Sequence, residues 1–264
     1  MEAENIRVVD QFVDWLLDKI DNKFEHGYVN RKTNQPWCCL NVYDAYEKYE
    51  WPFSVGQGEK KGRTFEESEH LLKQLSGNLK DSLLREDNDL CRYTCLKVLE
   101  WGGVLRGNRE KIEMLSEEDG LVRYLKAVPD KLKQNEYEGV YMNSGFTKIY
   151  SLYIENFVIY DSRVGAALGY LVRKFCQESG NDIPDALRFA YGKGRGNRNR
   201  NPDPVRNRFP LLSNRNHVEN NLKANRLLQK VLSRPSKFTK LRPDNALRAL
   251  EAALFMIGYQ LPDK

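Results

Sequence analysis

Apolar positions recur along this chain at intervals of three and four residues, the spacing that gathers side chains on one face of an α-helix. Val9, Phe12, Val13, Leu16 and Ile20 form one such stripe, with Asp14, Asp18 and Lys19 turned outward. Thr64-Phe-Glu-Glu67 has the form of a capping box and leads into Leu71, Leu72 and Leu75. Ser116-Glu-Glu-Asp119 predicts another helix start before Leu121, Leu125 and Val128. Leu90 to Trp101 reads as a buried helix stopped by Gly102-Gly103. Val164, Ala167, Leu168, Leu171, Val172 and Phe175 give the cleanest stripe, and further helices are expected over Val218–Leu232 and Asp244–Ile257, with Gly258 as a C-cap. Alternation of period two is weak throughout. The pattern therefore predicts an all-α, mainly helical fold with one short hairpin near Asn30 to Tyr43. Two irregular regions interrupt it, Gly27 to Lys61 and Gly192 to Asn214, and connections of that length tend to be functional or disordered.

Composition narrows the class. The chain has 264 residues, 41% hydrophobic and 30% charged, with 14 Tyr, 11 Phe and 4 Trp, enough aromatic area to anchor a sizeable core. Its longest uncharged stretches run 11 residues, against the roughly 20 that a bilayer-spanning helix needs. Met-Glu-Ala-Glu at the start has no basic and apolar leader pattern, which predicts a cytoplasmic protein, and five unevenly spaced cysteines (38, 39, 91, 95 and 176) fit a reducing compartment. Neither close cysteine pair has C-x-x-C spacing and only three histidines occur, so no local zinc site is expected. Net charge is +5, but Gly192 to Asn216 alone carries seven basic residues against Asp203, a local +6 that leaves the rest at −1. Such a concentration suits a polyanion, because neutralising phosphates releases counterions; a solvated loop is the competing reading.

Several motifs fail on inspection. Gly192-Lys-Gly-Arg-Gly196 lacks the last glycine of a dinucleotide fingerprint, with Asn197 in its place and no strand before it. His217-Val-Glu219 matches half of a zinc-deaminase signature whose cysteine half is missing. No G-x-S-x-G elbow or Walker A sequence occurs. The segment from Asn143 to Val172 reads instead as a tight turn, a short helix, a loop and a long helix. Ser144-Gly145 turns the chain, Thr147-Lys148 opens the short helix, and Asp161 sits where the long one begins. A glycine turn feeding a helix presents backbone N–H groups able to hold a phosphate. On the residues alone, Asp161 reads as an N-cap and Lys148 as a first-turn surface residue.

This segment resembles the helix-hairpin-helix DNA glycosylases, in particular the 8-oxoguanine DNA glycosylase-like branch. Tyr49-Glu-Trp-Pro-Phe53 and Trp101-Gly-Gly-Val104 look like segments of bacterial members. The resemblance implies a helical single glycosylase-like unit over 1–264, with residues 1–60 lining a base pocket, 143–175 as the catalytic segment and 192–216 as a DNA-contacting loop. It implies Lys148 as the nucleophile and Asp161 as the catalytic carboxylate. Ser144, Gly145, Thr147, Arg163, Lys193, Arg195, Arg198 and Arg200 are the expected DNA contacts, and Trp37, Trp51, Phe53 and Phe146 the expected pocket walls or wedges. Phe146 stands where the usual hairpin has its second glycine. The implied partner is double-stranded DNA carrying a damaged or modified base, in repair of oxidised purines or in removal of hypermodified phage bases; no cofactor or metal is required and no membrane is involved. A catalytically silent nucleic-acid-binding module and a helical interaction protein remain the alternatives.

Overall fold

The computed structural model describes residues 2–31, 33–117, 120–196 and 198–263. Among them the chain is mainly helical. The order is α1 (Glu2–Asp21), β1 (His26–Asn30), β2 (Gln35–Cys39), α2 (Val42–Glu47), β3 (Phe53–Val55), β4 (Lys60–Gly62), α3 (Phe65–Arg85), α4 (Asn88–Trp101), α5 (Arg109–Ser116), α6 (Gly120–Lys133), α7 (Phe146–Tyr150), α8 (Ser162–Ser179), α9 (His217–Leu232) and α10 (Pro243–Ile257). No described helix is long and apolar enough to cross a membrane.

The chain divides into two compact units, one of residues 1–49 with 158–264 and one of residues 50–157. The segment expected to be catalytic therefore crosses the division, with Lys148 in the second unit and Asp161 in the first. The expected pocket-lining portion divides too: Trp37 belongs to the first unit, Trp51 and Phe53 to the second.

In the first unit the stripe of α1 buries Phe12, Val13, Leu16 and Ile20 completely, and α8 does the same with Ala167, Leu168, Leu171 and Val172. α10 packs against α2 and α8, and α1 against α8 and α9. The hairpin expected near Asn30–Tyr43 forms a few residues earlier, as β1 and β2 in antiparallel register with Tyr28 opposite Trp37. Its inward positions are His26 and Tyr28, and its outward ones Gly27 and Val29.

The second unit holds a hairpin the sequence pattern did not reveal. Phe53 pairs with Gly62 in β3 and β4, and the Phe53 ring occupies the space a Cβ on Gly62 would need. Three-residue strands are too short for a period to register. α3 begins as read: Thr64 accepts from Glu67 N and the Glu67 carboxylate accepts from Thr64 N, closing the capping box. Ser116, expected to start a helix, instead ends α5 and donates its hydroxyl to the Ile112 carbonyl; the next helix starts at Gly120, and Glu118 and Asp119 lie outside the described residues. Pro129 sits inside α6 and supplies no N–H to the Leu125 carbonyl; the Tyr153 hydroxyl donates to it instead, at 2.9 Å.

Candidate functional site

Lys148 owes its position to a turn whose donors are used internally. Asn143 Oδ1 accepts from the N–H groups of Gly145 and Phe146 at 2.8 and 3.1 Å, while Asn143 Nδ2 donates to Asn108 Oδ1 at 2.9 Å. The hairpin N–H groups expected to face a phosphate thus face the Asn143 amide. Gly145 has an ordinary right-handed conformation, with φ −86°, so it is no left-handed turn residue. Its glycine is needed for packing: a Cβ there would come within 2.5 Å of Asn108 Nδ2 and 2.8 Å of Leu99 Cδ2. Buried inside the unit, it is not a backbone-approach position for DNA. Thr147 is fully buried as well, while Ser144 remains half-buried and uses its carbonyl to hold the lysine.

The lysine itself is 5% exposed, and its Nζ donates to the Ser144 carbonyl at 2.8 Å. Its stem runs past Gly102, where an added Cβ would lie 2.5 Å from Lys148 Cδ and 2.8 Å from Cε. Gly102 therefore does more than end α4: it clears the passage of the amine. Next to it, Gly103 has φ +64°, and the Trp51 ring is its nearest side chain. Trp51 is half-buried and donates Nε1 to the Trp101 carbonyl at 3.0 Å, so this tryptophan lies in the same part of the unit as the lysine stem.

Phe146 and Phe53 are core residues and not pocket walls. Phe146 has 0% exposure and its ring meets those of Tyr124, Tyr141 and Tyr150 at centroid distances of 5.9 to 6.4 Å. Within that cluster Tyr150 donates to the Tyr141 carbonyl at 2.7 Å, so the 2.6 Å contact between the Tyr124 and Tyr150 hydroxyls takes its proton from Tyr124, which in turn accepts from Tyr141 N. A closed network of this kind fixes α7 and the lysine on it.

Asp161, in the first unit, is 8% exposed and caps α8, its Oδ1 accepting from Arg163 N and Val164 N at 2.8 and 3.1 Å. The described residues just before it, 157–160, belong to no helix or strand, and backbone groups of Val158, Ile159 and Tyr160 are bonded by side chains from distant helices. Asn225 and Asn221 of α9 bind the N–H and carbonyl of Val158, and Glu251 of α10 accepts from Ile159 N at 2.7 Å. The His217 ring contacts the Tyr160 carbonyl at 2.7 Å, and the Tyr160 hydroxyl donates to the Ala190 carbonyl. Burial raises the Tyr160 phenol well above its ordinary value, which keeps it protonated in that role. Two glycines admit close neighbours to the first turn of α8: a Cβ on Gly258 would strike the Arg163 carbonyl and one on Gly192 the Ser162 side chain.

Arg163 and Arg200 feel this carboxylate, and Arg198 stands beside them. The Arg163 guanidinium lies 4.0 Å from the Phe255 ring centroid and 4.9 Å from that of Tyr259, and Arg198 stands 5.0 Å from Tyr259. Burial lowers the pKa of Arg163, with Asp161 acting in the opposite sense. Arg200, expected as an exposed phosphate contact, is instead 8% exposed; it donates Nη1 to Ser162 Oγ at 2.6 Å and Nε to the Tyr259 carbonyl at 3.3 Å. Burial, with the charges of Arg163 and Arg198, brings it down to about 10 against the pull of Asp161.

The basic loop is a folded connection rather than a uniformly solvated one. Asn199 and Asn201 accept from the N–H groups two residues on, and buried Asp203 pairs with Arg208 at 2.6 Å. Lys193 and Arg195 are exposed, and Arg198 half-buried. Trp37 is half-buried, stacks on Tyr28 at 4.8 Å and donates Nε1 to the Lys48 carbonyl. Family models, curated proteins and solved structures offer no match to the chain. Its function is therefore argued from these residues. The described residues contain no group of three or more His, Cys, Asp or Glu placed to hold a metal ion.

Sequence reasoning missed Tyr28, Phe255 and Tyr259 around Arg163, Glu251 on Ile159, and Gly102 beside Lys148. Phe255 lies in the last turn of α10 and Tyr259 just past its C-cap, and nothing local links them to residue 161.

Proposed function

We propose that the protein is a DNA glycosylase that removes a damaged or modified base from double-stranded DNA. The observation that carries this reading is Asp161: a nearly buried carboxylate, oriented by two backbone N–H groups, with Arg163 and Arg200, cations suited to a phosphate polymer, close enough to feel its charge. Breaking an N-glycosidic bond leaves positive charge on the sugar, and a preorganised carboxylate stabilises that charge without reorganising. Lys148 supplies the nucleophile. As a neutral amine it attacks C1′ and the C1′–N bond breaks with its electron pair going to the departing base, which takes up a proton; the C1′–O4′ bond then opens, O4′ taking up the proton that the amine loses, to leave a Schiff base, and removal of a C2′ proton expels the 3′ phosphate and cuts the strand. The helix-hairpin-helix likeness of residues 143–172 supports the same assignment, and excision requires that the target base first leave the stack.

A catalytically silent DNA-binding module is favoured by one observation, the engagement of Lys148 Nζ by the Ser144 carbonyl. The two readings separate when the protein is incubated with duplexes that each carry one lesion or modified base, scoring released base apart from strand nicks, with borohydride added to trap any Schiff base. The glycosylase reading predicts released base from at least one duplex, and a trapped adduct that is absent in Lys148→Gln. Binding to every duplex with no base released from any supports the silent module.

A further inference from the structure

Arg163, Arg198 and Arg200 gather around Tyr259, and Arg163 and Arg200 feel the Asp161 carboxylate. Each affects its neighbours: Arg198 lowers the pKa of Arg163, and both of them lower that of Arg200. Among the described residues, neither Arg198 nor Arg200 has a carboxylate oxygen within ion-pair distance. Arg198 spends Nε on the Arg195 carbonyl, and Arg200 spends Nε and Nη1 on Tyr259 and Ser162. The terminal nitrogens of Arg198 and Nη2 of Arg200 make no hydrogen bond to the described residues. Holding like charges together in a partly desolvated place is unfavourable unless an anion joins them.

The surroundings identify the kind of anion. Trp37, Tyr28 and Tyr259 form a stacked column, with centroid distances of 4.8 and 4.7 Å and interplanar angles of 16° and 26°. Arg163 and Arg198 lie against the Tyr259 ring at the end of that column, and the half-buried Trp37 forms its other end. The Tyr259 ring is buried and backs the guanidiniums rather than offering a free face, and a cluster of guanidiniums matches the tetrahedral array of phosphate oxygens better than a single planar carboxylate.

We propose that Arg163, Arg198 and Arg200 form a phosphate subsite that takes one backbone phosphodiester of DNA beside Asp161. The subsite lies wholly within the unit of residues 1–49 and 158–264; the identity of its ligand as DNA rests on the function proposed above. It assigns the buried Arg200 to hold the site's floor through Ser162 and Tyr259, with Arg198 as the approaching arm.

Two probes test it on the full chain. Thermal unfolding with inorganic phosphate, against chloride at matched ionic strength, should show a phosphate-specific rise in Tm for the wild type and for Arg215→Ala, an exposed arginine of the same loop. The rise should vanish in Arg198→Ala, whose half-buried side chain is removable without breaking the core; Arg200→Lys, which keeps the charge but loses the fork, should reduce it. In parallel, Arg198→Ala should weaken binding to a short duplex and lower the log K against log salt slope by about 0.9, the value for one neutralised phosphate. No phosphate-specific rise in the wild type, together with an unchanged slope, overturns the subsite. A rise that disappears in Arg198→Ala with an unchanged slope also overturns it, because the anion held there is then a small phosphate ester and not the DNA backbone. Both expected changes in a protein that releases no base uphold the subsite while refuting the glycosylase reading.

Discussion

Replacing Gly102 by Ala tests whether this glycine exists to let Lys148 pass. Its backbone lies in the right-handed region, φ −74° and ψ −6°, so alanine meets no conformational penalty and gains about 0.4–1 kcal/mol by restricting the unfolded chain. The new methyl would, however, stand 2.5 Å from Lys148 Cδ. Carbon atoms prefer about 3.5–4.0 Å, so the stem must give by roughly 1 Å. Overpacking of that kind costs about 1–3 kcal/mol, giving a net loss near 1 kcal/mol and a Tm lower by about 2–4 °C. Lys148→Ala alone also destabilises, by removing the charged hydrogen bond to Ser144. The double mutant should then be no less stable than Lys148→Ala, since the alanine methyl at 102 occupies space the stem has vacated. Urea unfolding of all four proteins at a common m-value measures this coupling, expected near 1 kcal/mol. Additivity within about 0.5 kcal/mol would refute the clearance role. If Lys148 is the nucleophile, Gly102→Ala should also slow any trapping reaction by about a hundredfold, the usual cost of a 1 Å misplacement.

Three further outcomes follow from the same geometry. Gly145→Val should destabilise the protein by about 1–3 kcal/mol through its clash with Asn108 and Leu99, while the folded fraction binds DNA with wild-type affinity; weakened binding by fully folded protein would contradict the internal role of this turn. His26 is held neutral by burial, its pKa brought to about 4 from 6.5 although its ring bonds the Ile257 carbonyl, so the unfolded state binds the extra proton between those values. Stability from this group is therefore complete above pH 6.5 and falls by about 3 kcal/mol as pH drops to 4, a slope that should be missing in His26→Gln when the two unfolding curves are compared across that window. Lys193→Ala combined with Arg195→Ala, both exposed, should lower the salt slope of DNA binding by about 0.9 for each phosphate left without its cation, as read by anisotropy at several salt concentrations; an unchanged slope makes that end of the loop a mere connection.

What the sequence revealed was whatever a single element decides. The stripes of α1 and α8 and the capping box of Thr64 and Glu67 depend on residues within a turn or two of each other, and they form as read. Asp161 as the cap of α8 was legible for the same reason. The β1–β2 hairpin was displaced because its inward positions are His26 and Tyr28 with Gly27 between them, a poor hydrophobic alternation. Nothing local announces that Val158 and Ile159 take their hydrogen bonds from Asn225, Asn221 and Glu251, between 63 and 92 residues away. Charge counting treated the basic residues of 192–216 as one group; burial divides them, sending Arg200 to Ser162 and Arg208 to Asp203. Gly145 carried the right residue type for a hairpin, but Asn143 and Asn108 close around it, a relation spread over 35 residues.

The central claim is most directly tested by single-turnover release of base from a modified-base duplex by the wild type and by Asp161→Asn. Asparagine keeps the shape of the cap and its acceptor for Arg163 N and Val164 N, so α8 stays anchored and only the charge is removed. A preorganised charge of this kind is worth about 3–4 kcal/mol, so release should slow by roughly 10²–10³ with affinity for the duplex retained. Release by Asp161→Asn at the wild-type rate would contradict the account.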